Sequence, residues 1–337
     1  MTPLIARIPR LISGLQGAES GFHPNEVAGA LTWVLPVLLV LSVAIVLFLF
    51  QIRKRRIHIL SNEIGKAEKT GDGKINVWYL IFTLICLLAT IFTGMVFLLT
   101  QSRGGYLSLG FVLPALLILA LPPRWRRYSV VLLIILALVI GVVIFSNWEG
   151  VRAWITGSNL ASDATFSVAT LQQRLDIWAR AVQGIHDFPF TGMGLNGFRK
   201  VISVLYPLFN FPADVDIGHA HNEFLQVALD LGIPGLIAFI ALYLGAFWML
   251  GGVWIRSHRV SDGDHLFNRL GFPSQALLDA AVLGLGGGLV AHMLYGLTDA
   301  VALGAKPGLL FWMLLALICG LYARVYADNK NPIVHPG

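Results

Sequence analysis

Charge is scarce in this chain. Only 12% of its 337 residues are charged, while 56% are apolar; soluble domains carry about 25% charged residues. A water-soluble globule is excluded. Cysteine is scarcer still. There are two, Cys86 and Cys319, each inside an apolar run, which excludes a disulfide framework and any cysteine-based metal site. The first residues, MTPLIARIPRLISGLQG, lack the apolar core of about 7–15 residues that marks a secretory signal. No internal repeat and no low-complexity segment is present. The net charge of +6 is no sign of nucleic-acid binding, because the basic clusters sit at the ends of apolar runs, where membrane topology accounts for them.

What the chain has is long apolar stretches, separated by short basic ones. Stretches at 24–50, 77–100, 106–121, 128–145, 233–255, 276–297 and 307–322 approach or exceed the ~20 residues that a bilayer core requires of a helix. The expectation is an all-α, polytopic helix bundle of about seven spans. Lysine and arginine concentrate in 51–76, 122–127, 256–269 and the C-terminal tail. Under a seven-span count these fall on one face, which the positive-inside rule makes cytoplasmic. The order expected is an extracytoplasmic lead segment 1–23, spans in 24–146, a large extracytoplasmic loop 147–232 with short amphipathic helices, spans in 233–325 and a cytoplasmic tail 326–337.

The large loop carries the most chemistry. Residues 171–185, LQQRLDIWARAVQGI, read as a helix with Leu171, Leu175, Trp178 and Val182 at helical spacing. FPFTGMGLNGF follows, and its Gly192, Gly194 and Gly197 predict tight backbone turns. The loop ends in HAHNEFLQVALDLGIPG. There, 222–231 reads as a short helix with Phe224, Val227, Ala228 and Leu231 on one face, Gly232 just past its end and Pro234 blocking continuation. His221 then lies at the positive end of the helix dipole, which disfavours imidazolium. A neutral imidazole beside the membrane can act as a general base; the plainer alternative is a surface histidine at a helix start.

Four further groups stand out. Arg103 lies in the short turn QSRGG between two spans; it either snorkels to the interface or serves a ligand. Arg174 shares the loop helix with Arg180, near Asp176 and Asp187. It is a solvated helix face or a bidentate phosphate grip, for which the planar guanidinium is well shaped. Asp214, Asp216, His219 and His221 are close enough in sequence to ligate a divalent cation, although their spacing matches no standard signature. His292, Tyr295 and Asp299 fall at helical spacing on one face of the sixth span, where a packing role competes with a functional one.

These motifs resemble the O-antigen ligase and polymerase superfamily of bacterial membrane glycosyltransferases. The likeness rests on His221-Asn222 followed by nine residues and then Gly232 and Gly235 in a GxxG. It extends to the Ser102-Arg103-Gly104 turn, QQRLDIW, FTGMGLNGF, PNEVAGAL near the first span and the GLTDA turn at Asp299. The resemblance implies His221 as catalytic base, and Arg103 and Arg174 as catalytic groups that bind the diphosphate of a polyprenyl-diphosphate-linked glycan donor. His219, Asn222 and Asp299 are expected to bind substrate with them. The implied chemistry needs no metal and no cofactor. The acceptor is a glycan or lipid-linked sugar, the setting is the bacterial inner membrane with its lipids, and the active site faces outward. Repeat-unit polymerisation and transport of the bicarbonate type remain as alternatives. Family members carry further spans ahead of the PNEVAG region, so the resemblance also implies a longer protein or a separate N-terminal membrane fragment as partner.

Overall fold

The computed structural model describes residues 24–62, 77–120, 123–149, 171–208, 217–259, 275–301 and 305–327. The lead segment, the tail beyond 327 and the Asp214–Asp216 part of the possible cation site lie outside them. Among the described residues every regular element is helical: α1 (Pro24–Asn62), α2 (Val77–Leu99), α3 (Arg103–Ala120), α4 (Pro123–Ser146), α5 (Leu171–Asp187), α6 (Gly197–Leu205), α7 (Glu223–Arg259), α8 (Gln275–Gly296) and α9 (Leu309–Ala327), with a 3-10 turn at Lys306–Gly308. Among the described residues, six segments are long and apolar enough to cross a membrane: Pro24–Ile52, Tyr79–Leu99, Arg103–Ala120, Glu223–Arg259, Gln275–Gly296 and Lys306–Tyr326. The remaining expected span, 128–145, falls inside the helix α4. The protein is an all-α, multi-pass membrane helix bundle. Helices suit this composition because each satisfies its own backbone polar groups, which lipid cannot do.

The chain divides into two compact units. The first comprises Met1–Leu109, Tyr243–His292 and Leu309–Gly337; the second comprises Gly110–Leu242 and Met293–Gly308. In the first, α1 packs along α2 and α9, and Ser42 and Thr90 bridge α1 to α2 through their hydroxyls at 2.9 Å. The middle of α8 lies backbone-close to α1. A Cβ on Gly288 would sit 2.4 Å from the Trp33 carbonyl oxygen, and one on Gly284 would sit 2.9 Å from the Val37 Cα. Small residues four apart allow this approach, as is common between membrane helices. Cys86 and Cys319 are free thiols.

The second unit holds a small core of its own. Ile177 and Ala181 of α5, Phe198 and Ile202 of α6, Tyr206, Ile217, Ala220 and Leu229 are all buried together. This corrects the apolar face expected of α5. Leu175 and Val182 are exposed, and the inward stripe runs through Ile177, Ala181 and Gly184. Size explains the difference. A Cβ on Gly184 would meet the Met193 Cε at 2.4 Å and the Leu229 Cδ2 at 2.9 Å, so the small residues mark where neighbours come closest.

Candidate active site

The site is built on the first nine residues of α7. Asn222 caps them: its Oδ1 accepts the Leu225 N–H at 3.1 Å, and its carbonyl accepts the Gln226 N–H at 2.9 Å. This is the standard N-cap geometry. At the far end the helix breaks at Gly232, whose φ of 74° and ψ of −177° lie in a region essentially confined to glycine. The carbonyls of Leu229 and Asp230, orphaned by the break, accept the Met193 N–H at 2.6 Å and the Gly194 N–H at 3.1 Å, and the Ile233 N–H donates to the Pro189 carbonyl at 2.7 Å. The GMG turn thus caps the helix C-terminus with its own backbone. Contact is tight enough that a Cβ on Gly192 would lie 2.5 Å from the Asp230 carbonyl carbon. The break at Gly232 is the one expected. Pro234 does not end the helix, however; it stands within the first turn of the next helical run, where the missing N–H costs nothing.

His221 precedes this helix with a left-handed backbone, φ 47°. Its N–H points to the His219 Nδ1 at 3.2 Å, and the two rings lie 4.3 Å apart. Between them, the Ala220 N–H donates to the Gln226 Oε1 at 2.8 Å, while the Gln226 Nε2 donates to the Asp230 Oδ1 at 2.9 Å. Gln226 and Asp230 are both buried, so a polar chain inside the helix sets the backbone that carries both histidines.

Asp299 comes from the turn after α8. That helix ends at Gly296, so Asp299 is not on a helical face with His292 and Tyr295, as its spacing had suggested. Its N–H instead donates to the Tyr295 carbonyl at 3.0 Å as the chain turns away. The carboxylate is buried. Its Oδ1 lies 3.1 Å from the His221 Nδ1, 3.0 Å from the Ala300 N–H and 3.8 Å from the His219 Nδ1. Its Oδ2 lies 3.9 Å from the Arg174 Nη2. Burial raises the Asp299 pKa, but the hydrogen bond from His221 and the cationic surroundings, Arg174 included, outweigh it and hold the carboxyl well below the usual range. Two more bonds stitch the same turn down. The Asn222 Nδ2 donates to the Leu297 carbonyl at 3.2 Å, and the Glu223 Oε2 accepts the Val301 N–H at 2.9 Å.

Four of the expected residues, Arg174, His219, His221 and Asp299, therefore come together around one buried carboxylate. Asn222 adjoins them with both ends of its amide engaged in holding backbone. Arg103 opens α3 in the other unit, and His292 also belongs to that unit. Sequence reasoning missed Glu223, Gln226 and Asp230 as structural polar groups. The signal was available: Glu223, Gln226 and Asp230, three and four residues apart, are the polar residues of an otherwise apolar nine-residue helix.

A carboxylate only accepts hydrogen bonds, so the His221 Nδ1 carries a proton, and in the neutral form of the ring the lone pair is on Nε2. Such a pair can take a proton and stabilise the resulting imidazolium. His219, His221 and Asp299 also offer donor atoms within 4.8 Å of one another, a spacing a metal ion could use.

No curated protein matches the chain. Residues 88–240 match the family model described as O-antigen ligase, a stretch that contains Arg103, Arg174, His219, His221 and Asn222 but not Asp299. Over that stretch, and in the motifs within it, the chain is similar to the O-antigen ligase family.

Proposed function

We propose that this protein transfers a glycan from a polyprenyl-diphosphate carrier to an acceptor sugar hydroxyl, at the outer face of the bacterial cytoplasmic membrane. The observation that carries the reading is the His221–Asp299 pair, 3.1 Å apart, with a guanidinium against the second carboxylate oxygen. His221 Nε2 takes the proton from the acceptor hydroxyl. The freed oxygen attacks the anomeric carbon, the bond from that carbon to the diphosphate breaks, and the electron pair leaves with the lipid diphosphate. Asp299 holds the ring and stabilises the imidazolium; it is a positioning residue, since its oxygens already face His221 and Arg174. Arg174 keeps further N–H donors beyond the one facing Asp299, because guanidinium has five, and these suit the departing diphosphate. Arg103 is assigned to the same diphosphate by the resemblance. The outward-facing site follows from the distribution of basic residues. Transport is less well supported: the break in α7 lies at the edge of its membrane-crossing part, whereas transporters break their helices near the midplane.

The histidine pair and Asp299 can also be read as cation ligands. Hydrogen bonding accounts for the geometry more simply, because each short contact joins a donor to an acceptor and Arg174 already brings positive charge to the carboxylate. One assay decides both questions. The purified chain is reconstituted in liposomes with a lipid-diphosphate glycan and a sugar acceptor. His221→Ala, Arg174→Ala and Arg103→Ala should each lower transfer about 100-fold or more, and exhaustive chelation should leave the wild type unchanged. Wild-type rates from His221→Ala would remove the base assignment. Activity lost to chelator and restored by one divalent ion would make the cation reading the correct one.

A further inference from the structure

The turn at 188–190, Phe-Pro-Phe, has no role in the chemistry above, yet it is backbone-bonded to α7 at a definable depth. The C-terminal end of α7 is basic, with Arg256, His258 and Arg259 in its last turn. A hydrocarbon core of about 30 Å takes about 20 helical residues. Counting back from Arg256 brings the other edge of the core to the neighbourhood of Leu236, so Ile233 lies in the interfacial layer at that end. The Pro189 carbonyl accepts the N–H of this same Ile233 at 2.7 Å. The Phe190 carbonyl carbon lies 2.7 Å from where a Gly232 Cβ would be. The 188–190 backbone is therefore fixed against α7 where that helix enters the bilayer.

Phe190 is 78% exposed, and on α7 the side chains of Ile233 (43%) and Ile237 (62%) are exposed as well. The surface of α7 from Ile237 onward faces lipid by the same count. Phe190 extends that surface onto the loop, at the level where aromatic and large apolar side chains insert among headgroups and upper acyl chains.

We infer that the 188–190 turn is a membrane-interface anchor, with the Phe190 ring seated in the adjoining lipid leaflet, and that its occupant is bilayer lipid rather than a protein. The anchor pins the GMG turn, which caps the nine-residue helix that carries His221, at a set height above the hydrocarbon. The inference rests on α7 crossing the membrane and is independent of glycan transfer, so its test needs no turnover.

In a Cys86→Ala, Cys319→Ala background, single cysteines replacing Phe190, Ile237 and Lys200 are labelled with an environment-sensitive fluorophore, and the whole chain is placed in nanodiscs. The label at 190 should be quenched several-fold more strongly by lipids carrying a shallow nitroxide than by aqueous iodide, like the label at 237. The label at 200, on the exposed charged side of α6, should show the reverse order. Quenching at 190 by iodide alone would overturn the anchor by placing the ring in water. Protection from both quenchers would overturn it in favour of a protein contact. Hydroxyl-radical footprinting of the unsubstituted chain in nanodiscs gives a second readout. Phe190 should be protected as Ile237 is, and oxidation of Phe190 at the rate of an aqueous phenylalanine would also overturn the anchor.

Discussion

Two histidines, one in each unit, show what separates a structural imidazole from a chemical one. His292 is fully buried. Its ring stacks on Trp33 at 3.6 Å, and its Nδ1 faces the Thr32 hydroxyl at 3.2 Å and the Gly29 carbonyl at 3.1 Å. His221 also turns its Nδ1 to an acceptor, but that acceptor is the Asp299 carboxylate, and 12% of its side chain stays accessible. In both cases an oxygen fixes the tautomer. A carbonyl does little for the protonated ring, whereas a carboxylate stabilises it, and a closed site gives no substrate access to the second nitrogen. The charge of the partner and access to the other nitrogen, not the residue type, decide which histidine can act as a base.

The largest effect expected from this contrast is at the two rings themselves. His221→Ala should lower the transfer rate about 100- to 10,000-fold, the usual contribution of a general base, a loss far larger than the fraction of protein it unfolds by removing the donor that faces Asp299. His292→Ala should do the opposite. It removes a stacked ring from a closed core, at a cost of about 2–4 kcal/mol, read as a lower melting temperature in detergent, while turnover per folded molecule stays within a few-fold of wild type. A folded but inactive His292→Ala protein would collapse the comparison.

Asp299→Asn tests the partner instead of the ring. The amide can present its N–H to His221 Nδ1 and so favour the wrong tautomer, and it leaves no charge to stabilise imidazolium. Transfer should fall about 100-fold or more, with donor binding reduced less than turnover. Stability supplies a second reading with a definite sign. The folded Asp299 carboxyl is held below its ordinary value of about 4. Its stabilising contribution is therefore complete above about pH 4 and is lost as pH falls through the lower, folded value. The gap in melting temperature between wild type and Asp299→Asn should persist down to about pH 4 and close only in stronger acid. A gap that closed already near neutrality would mean that the carboxylate is not held in this way.

How much of this was legible in the sequence depended on the range of the interaction. The break at Gly232 and the helix start at Asn222 are local, set by a backbone that only glycine adopts and by an amide that caps, and both could be read directly. So could the membrane class, which needs only long apolar runs. The inward face of α5 could not. Periodicity favoured the large side chains Leu175 and Val182, but in the structure Ala181 and Gly184 face the core, because closeness to Met193 and Leu229 outweighs side-chain size. The pairing of His221 with Asp299 spans 78 positions and leaves no local trace. Spacing alone placed Asp299 on a helix that in fact ends three residues earlier, at Gly296. Resemblance to a family put Asp299 in the site where periodicity had misplaced it, and only coordinates gave it a partner.

The smallest expected effect separates two roles for Asn222, which the resemblance assigned to substrate. Its Oδ1 caps α7 and its Nδ2 holds the Leu297 carbonyl, so both ends of the amide already serve the backbone on either side of His221. Asn222→Ala should cost about 1 kcal/mol of stability, the worth of an N-cap. It should lower turnover only as far as His221 loosens, with KM for the donor unchanged. Asn222→Asp distinguishes the two bonds, because a carboxylate caps as well as an amide but cannot donate to Leu297. Recovered melting temperature with turnover still reduced would show that the Leu297 bond sets the His221–Asp299 geometry. A raised donor KM in both variants would return Asn222 to the substrate, and would mean that the accessible side of this cluster extends past the two rings to the start of the helix.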